Sequence, residues 1–287
     1  MDVNQKLRWD KLNVDLELLT VSDPNSLIPV ILDIHSLIFG EDDSNNTLRK
    51  LNFMGYELQT RTENLTETDR QTILSDYVFN EKHFLISALS GKTIDQNDWQ
   101  LPYTIETKQG CSFIISLIYV HLAQNIELPI YLINSKQDNI LKWVKGNEPT
   151  YLDITANATE ISEKKMCEAL LELNKSNDNI PTDCFDIIPA KNIIKKYLNY
   201  LLNIFNLKKQ FGYAKTTLDI LLALDSSNLK YLHNRALVHK KLNLHKEALN
   251  DIRRYYSLNG EENSPVELKV AYYDLKNMST PTSKLIH

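Results

Sequence analysis

The chain has 287 residues, of which 43% are hydrophobic and 24% are charged, and this length suits about two globular domains. No apolar run approaches the roughly 20 residues that a membrane-spanning helix needs. The N-terminal segment also lacks the apolar core of a signal peptide. These features argue against a membrane protein and predict a cytoplasmic one.

The three cysteines, Cys111, Cys167 and Cys184, are irregularly spaced. An odd number of cysteines without a Cys-x-x-Cys pair indicates neither a disulfide framework nor a zinc site. No glycine-rich phosphate loop is present. The sequence therefore predicts no metal site and no cofactor.

Residues 1–104 are predicted to be mostly helical. Apolar residues recur at helical spacing between Leu27 and Ile38, and they do so again from Leu48 onward. A polar break at residues 41–46 is expected to separate these two helices.

The pattern changes near residue 105, where Gly110 precedes an apolar stretch from Cys111 to Ile126. A stretch that is apolar nearly all round predicts a buried helix. Short strand-like segments after Pro129 predict a small antiparallel sheet. These segments are Ile130–Ile133, Ile140–Val144 and Thr150–Ile154. The predicted fold class is therefore α+β and mostly helical, with residues 105–172 as its mixed core.

Residues 173–190 are rich in Asn, Asp, Ser and Pro, which is typical of a linker. We therefore predict a first domain over residues 1–187 and a second over residues 188–287.

The second domain contains an internal repeat. Residues 188–226 superimpose on residues 222–260 when shifted by one period of 34 residues, and Ala214 then falls on Ala248. This period with a helix–turn–helix pattern is the signature of tetratricopeptide repeats. Two repeats bury too little apolar surface alone, and Pro265–Lys276 is expected to form the capping helix.

The order of these parts resembles the SirB-type family, which is widespread in bacteria and joins a transglutaminase-like domain to tetratricopeptide repeats. The resemblance is strongest at Glu106–Gly110, Leu117–Ala123, Leu128-Pro129 and Leu249–Asp251. It implies a papain-like scaffold made of a helical region and a small sheet. The chain has Lys108 and Ser112 where the family usually has Arg and Pro.

In active transglutaminase-like enzymes, a cysteine nucleophile begins the buried helix, a histidine base lies on the next strand, and an aspartate on the following strand orients the base. The resemblance places Cys111 at the nucleophile position and Asp153 at the orienting position. The histidine position falls on Asp138. Because a carboxylate is a poor base for a thiol, we predict that Cys111, Asp138 and Asp153 form a degenerate triad without catalytic activity.

The first helix of each repeat is expected to present a polar, basic, concave face. The candidate residues on this face are Lys196, Asn199, Tyr200, Asn203, Lys230, His233, Asn234 and Lys240. Such a face suits a partner protein with an acidic peptide segment or a chain-terminal carboxylate.

Charge is unevenly distributed along the chain. Residues 188–260 carry 13 Lys and Arg against 4 Asp and Glu, whereas residues 1–187 carry 16 against 29. Either the basic segment binds a partner or it docks on the acidic first domain. The overall pI of about 5.8 and the lack of a known nucleic-acid recognition motif argue against nucleic-acid binding.

Two functions therefore compete. The favoured one is a non-catalytic protein-interaction or regulatory module, and the alternative is a cysteine-dependent acyl-transfer or amide-hydrolysing enzyme that uses Cys111.

Overall fold

The computed structural model describes residues 3–19, 27–40, 43–90, 95–135, 139–146, 148–173 and 182–279. The chain divides into two compact units, Met1–Ile193 and Ile194–His287. The division lies inside a helix, six residues beyond the predicted boundary. Within the described ranges, no helix has both the length and the apolar character needed to cross a membrane.

The first unit begins with a helical region, as predicted. Its α-helices are α1 Val3–Leu18, α2 Leu27–Phe39, α3 Ser44–Thr62, α4 Glu67–Ser75 and α5 Leu101–Thr107. Helix α4 continues directly into a π-helix, Asp76–Glu81. The predicted polar break is shorter than expected, because α3 already begins at Ser44 and the carbonyl of Asp43 accepts a hydrogen bond from the Thr47 N–H at 3.0 Å. Residues 41 and 42 lie outside the described part.

A buried helix and a small sheet follow, which confirms the mostly helical α+β prediction. Helix α6, Ser112–Asn125, is buried on all sides over most of its length. The strands are β1 Leu85–Ile86, β2 Gln109–Gly110, β3 Ile130–Leu132, β4 Ile140–Lys145, β5 Glu148–Asp153 and β6 Thr159–Ile161. Strands β1 and β2 pair in parallel, and β3 to β6 form an antiparallel sheet in chain order. Strand β6 was not predicted, because its side chains are mostly exposed and polar.

The second half of the expected linker, from residue 182 onward, is structured. Helix α7 spans Glu163–Leu173, and residues 174–181 lie outside the described part. From residue 182 onward the chain packs on the sheet: Ile187 bridges Ile133 on the extension of β3, and Cys184 is buried with Tyr151 and Met166. The apolar residues within this polar-looking stretch therefore belong to the first unit.

The second unit consists of helical hairpins. Its helices are α8 Ala190–Leu207 (whose first turn belongs to the first unit), α9 Phe211–Leu224, α10 Leu229–Lys241, α11 His245–Asn259 and α12 Val266–Ser279. The small residues Ala214 and Ala248 are fully buried, at 0% exposure.

The turns inside the two hairpins have the same geometry. Lys209 and Asn243, which are 34 positions apart, both adopt left-handed φ angles of 56° and 58°. The residue after each donates its N–H to the carbonyl five positions earlier, at 2.8 and 2.9 Å. The period seen in the sequence is therefore a structural period too.

Candidate functional site

Cys111 lies at the N-terminal end of α6, as the transglutaminase-like pattern predicts. Its side chain is almost fully buried, with 2% exposure, and it forms no disulfide. Its backbone N–H donates a 2.9 Å hydrogen bond to the carbonyl of Asp98. Acyl transfer needs N–H donors directed at the oxyanion that develops in the transition state, and this N–H already has an acceptor inside the protein.

Asp98 is itself held in place. Its carboxylate accepts hydrogen bonds from the Ser87 hydroxyl at 2.6 Å and from the Asp95 backbone N–H at 2.7 Å. Together with Asp95 it forms a capping box around the short 3-10 helix Gln96–Trp99. The acceptor for the Cys111 N–H is therefore a fixed part of the fold.

Gly110 allows the chain before Cys111 to pass close to α5. A Cβ atom at this position would lie 2.5 Å from the Thr104 Oγ1 and 2.7 Å from its Cγ2. Only glycine therefore fits without displacing a side chain that is itself fully buried. This glycine is part of the segment that carries the family resemblance.

Asp153 ends β5 and is half-buried. Its Oδ1 atom accepts three hydrogen bonds: from the Thr155 hydroxyl at 2.6 Å, the Thr155 N–H at 2.8 Å and the Asn139 amide at 2.9 Å. Among the described residues, Thr155 and Asn139 are the hydrogen-bond donors to Asp153, and neither is a histidine.

Asn139, which the sequence analysis did not single out, is hydrogen-bonded to Asp153. It directly precedes β4, whose first residue, Ile140, pairs with Asp153 across the sheet. The predicted base position, Asp138, lies outside the described residues. Asn139, the first described residue after it, bonds Asp153 through an amide, which has no basic nitrogen.

The first unit has three histidines, and among the described residues none of them donates a hydrogen bond to Asp153. His121 is buried inside α6, and neither ring nitrogen has a hydrogen-bond partner among the described residues. Burial lowers the pKa of His121 to about 4. His35 is buried in α2 with its Nε2 atom 3.3 Å from the Gln100 Oε1, and His83 is exposed on a left-handed backbone.

The predicted basic face of the second unit is partly occupied by internal contacts. On α10, Lys240 forms a 2.6 Å salt bridge with Asp274 of α12, and His233 lies 3.8 Å from Glu267 of the same helix. Lys240 and His233 of this face therefore each lie close to a carboxylate of the same unit.

The remaining predicted face residues differ in exposure. Asn203 and Lys230 are exposed, whereas Lys196, Tyr200 and Asn234 are half-buried. Asn199 links the two hairpins, since its amide donates to the Tyr231 hydroxyl at 3.0 Å. Asn199 is thus a packing residue as well as a face residue.

A mostly helical domain with a buried helix that begins at a cysteine, followed by an antiparallel sheet, is the architecture of transglutaminase-like proteins. Residues 45–199 match the family model described as the transglutaminase-like superfamily. This match covers more than half of the chain, and the chain belongs to that superfamily. Neither a curated protein nor a solved structure gives a significant match.

Proposed function

We propose that this protein is a non-catalytic member of the transglutaminase-like superfamily, of the SirB type, that acts as a cytoplasmic interaction or regulatory module. In this proposal the second unit consists of tetratricopeptide repeats. Its basic face binds an acidic segment of a partner protein.

The observation that carries the first part is the hydrogen bond between Asn139 and Asp153. Activation of a cysteine requires a base that takes the thiol proton, and a third group then orients that base. Here the orienting group is bonded to an amide, which cannot accept a proton at neutral pH. In this proposal the chain keeps the nucleophile and orienting positions of the triad and lacks the base.

The surroundings of Cys111 support the same conclusion. A nucleophile must be reached by its substrate, whereas Cys111 is 2% exposed. A cysteine buried to this degree more often packs as a small hydrophobic residue than acts as a nucleophile. Its backbone N–H, bonded to the Asp98 carbonyl, is not available to an oxyanion.

The contacts of α12 support an acidic partner for the second unit. Glu267 and Asp274 approach His233 and Lys240, so this face already pairs with carboxylates on a helix. Repeat proteins of this kind bind extended or helical segments along such a face. Lys196 and Lys230 would then contact the carboxylates of the partner segment.

Binding of a fluorescent peptide rich in Asp and Glu to the full chain tests this part, with fluorescence anisotropy as the readout. The double variant Lys196→Gln, Lys230→Gln should weaken binding about tenfold, and added salt should weaken it further. The matched control is Lys164→Gln, Lys165→Gln, which removes two exposed charges from α7 of the other unit. Equal losses in both double variants would mean non-specific charge attraction and would contradict the proposal.

A further inference from the structure

The first unit contains an open groove that the proposed function does not use. It has a volume of about 540 Å³ and is lined by Arg49, Lys50, Phe53, Met54, Lys82 and Lys108. Its volume lies within the range of small-molecule sites, roughly 300–1,000 Å³. We call it the cationic groove.

Two irregular backbone segments bring its lysines together. The π-helix ends at Glu81, and Lys82 follows it directly. Lys108 ends α5 in a left-handed conformation with φ 60°, which is uncommon for a residue other than Gly, Asn or Asp. Such segments concentrate at functional sites. On α3, Phe53 lies four residues after Arg49 and three after Lys50, so it neighbours both of them on the helix surface.

Among the described residues, two of these four cations form salt bridges. Lys50 pairs with Glu106, and Lys82 lies 2.8 Å from Glu57. Within the described ranges, neither Arg49 nor Lys108 forms a salt bridge. The ammonium of Lys108 lies 4.7 Å from the centre of the Phe84 ring. Burial lowers the pKa of Lys108, the nearby charge of Lys82 adds to this effect, and the charge of Glu106 opposes it.

The exposed aromatic ring of Phe53 also lines the groove. Phe53 is 62% exposed, although it lies next to the buried Met54. Phosphate groups are bound by Arg and Lys side chains, and a planar group stacks on an exposed aromatic ring. The groove is thus lined by both cationic and apolar side chains.

We propose that the cationic groove binds a small organic phosphate whose phosphate groups contact Arg49 and Lys108 and whose planar or apolar part packs on Phe53. This site lies wholly in the first unit and is independent of the proposed peptide binding by the second.

Isothermal titration calorimetry on the full chain at about 50 mM salt, where screening is weak, tests the proposal. The probes are pyrophosphate, adenosine 5′-diphosphate and adenosine. We expect the diphosphate to bind more tightly than pyrophosphate, and adenosine to bind weakly or not at all. Phe53→Ser should weaken the binding of adenosine 5′-diphosphate to the level of pyrophosphate and leave the binding of pyrophosphate unchanged.

The charge-removing variant is Arg49→Gln, Lys108→Asn, in which asparagine tolerates the left-handed backbone. It should lower the affinity for the diphosphate at least about tenfold, the scale expected for loss of charge-assisted contacts. The control Lys164→Gln, Lys165→Gln should bind as the wild type does. Circular dichroism and the melting temperature confirm that each variant is folded.

Absence of binding by all three probes would overturn the proposal. An equal loss in the control variant would also overturn it, since binding would then be diffuse charge attraction. If only the acidic peptide bound, and binding required Arg49 and Lys108, the groove would be a protein-docking surface instead.

Discussion

Arg235 and Asp251 form a two-bond ion pair inside the second unit. The Nε and Nη2 atoms of the guanidinium lie 2.9 and 2.7 Å from the two carboxylate oxygens, and the side chains are only 18% and 6% exposed. The same guanidinium contacts Asp219 at 2.7 Å, and the Nδ1 atom of His239 lies 3.0 Å from Asp251. Arg235 thus ties together the three helices α9, α10 and α11.

This network predicts a loss of stability in acid. Burial opposes ionisation of Asp251, but His239 and Arg235 outweigh it and lower its pKa below the ordinary value. A carboxyl group with a depressed folded-state pKa stabilises the fold above its unfolded-state pKa of about 4, and this contribution disappears as the pH falls further. Urea unfolding at pH 7 and pH 3 should show a smaller stability difference for Asp251→Asn than for the wild type. Equal differences would mean that Asp251 is not coupled to the network.

Gly110→Ala should destabilise the first unit. The new Cβ would lie 2.5 Å from the Thr104 Oγ1, and overpacking of this kind costs about 1–3 kcal/mol. Gly212→Ala is the matched control, because its Cβ would meet no atom within 4 Å and alanine is favoured over glycine in a helix by up to about 1 kcal/mol. Thermal unfolding should therefore show a lower melting temperature for the first variant and an unchanged or higher one for the second. A neutral Gly110→Ala would contradict the close approach.

The burial of His121 predicts a second effect of pH on stability. In the unfolded chain an imidazole takes up a proton near pH 6.5, whereas burial keeps folded His121 neutral down to about pH 4. Stability is therefore lost as the pH falls from 7 towards 4, by about 2 kcal/mol between pH 7 and pH 5. His121→Leu should remove this part of the pH dependence. Exposed His83, replaced by asparagine to suit its left-handed backbone, should follow the wild-type curve.

The role of Asp153 can be separated into hydrogen bonding and charge. Asp153→Ala removes the acceptor of three hydrogen bonds and should lower the free energy of unfolding by about 2–3 kcal/mol. Asp153→Asn keeps an oxygen acceptor and should lose less than half as much. Equal losses in both variants, measured by chemical unfolding, would mean that the negative charge matters more than the hydrogen bonds.

Much of the fold follows from local sequence patterns. The buried helix α6 was predictable because its residues are apolar nearly all round, and the hairpins of the second unit were predictable from their period of 34 residues. Strand β6 was missed because Thr159 and Glu160 are exposed and polar, so they carry no apolar alternation.

The candidate site was only partly predictable, because it depends on contacts that are distant in sequence. Counting forward from Pro129 predicts Asp138 as the base position, which lies outside the described residues, whereas the bond between Asn139 and Asp153 was not foreseen. Sequence spacing cannot fix the register of such a loop. The cationic groove was missed for the same reason, since Arg49 and Lys108 come from different helices and meet only in the folded chain.

The most direct test of the non-catalytic proposal is the alkylation of Cys111 by iodoacetamide in the folded protein between pH 5 and 9, followed by peptide mass spectrometry. Cys184, equally buried, and the half-buried Cys167 serve as internal references. We predict that Cys111 reacts no faster than Cys184, and more slowly than Cys167, until the protein unfolds. Rapid alkylation of Cys111 with an apparent pKa well below the free-thiol value of about 8.5 would reveal an activating base and contradict the proposal.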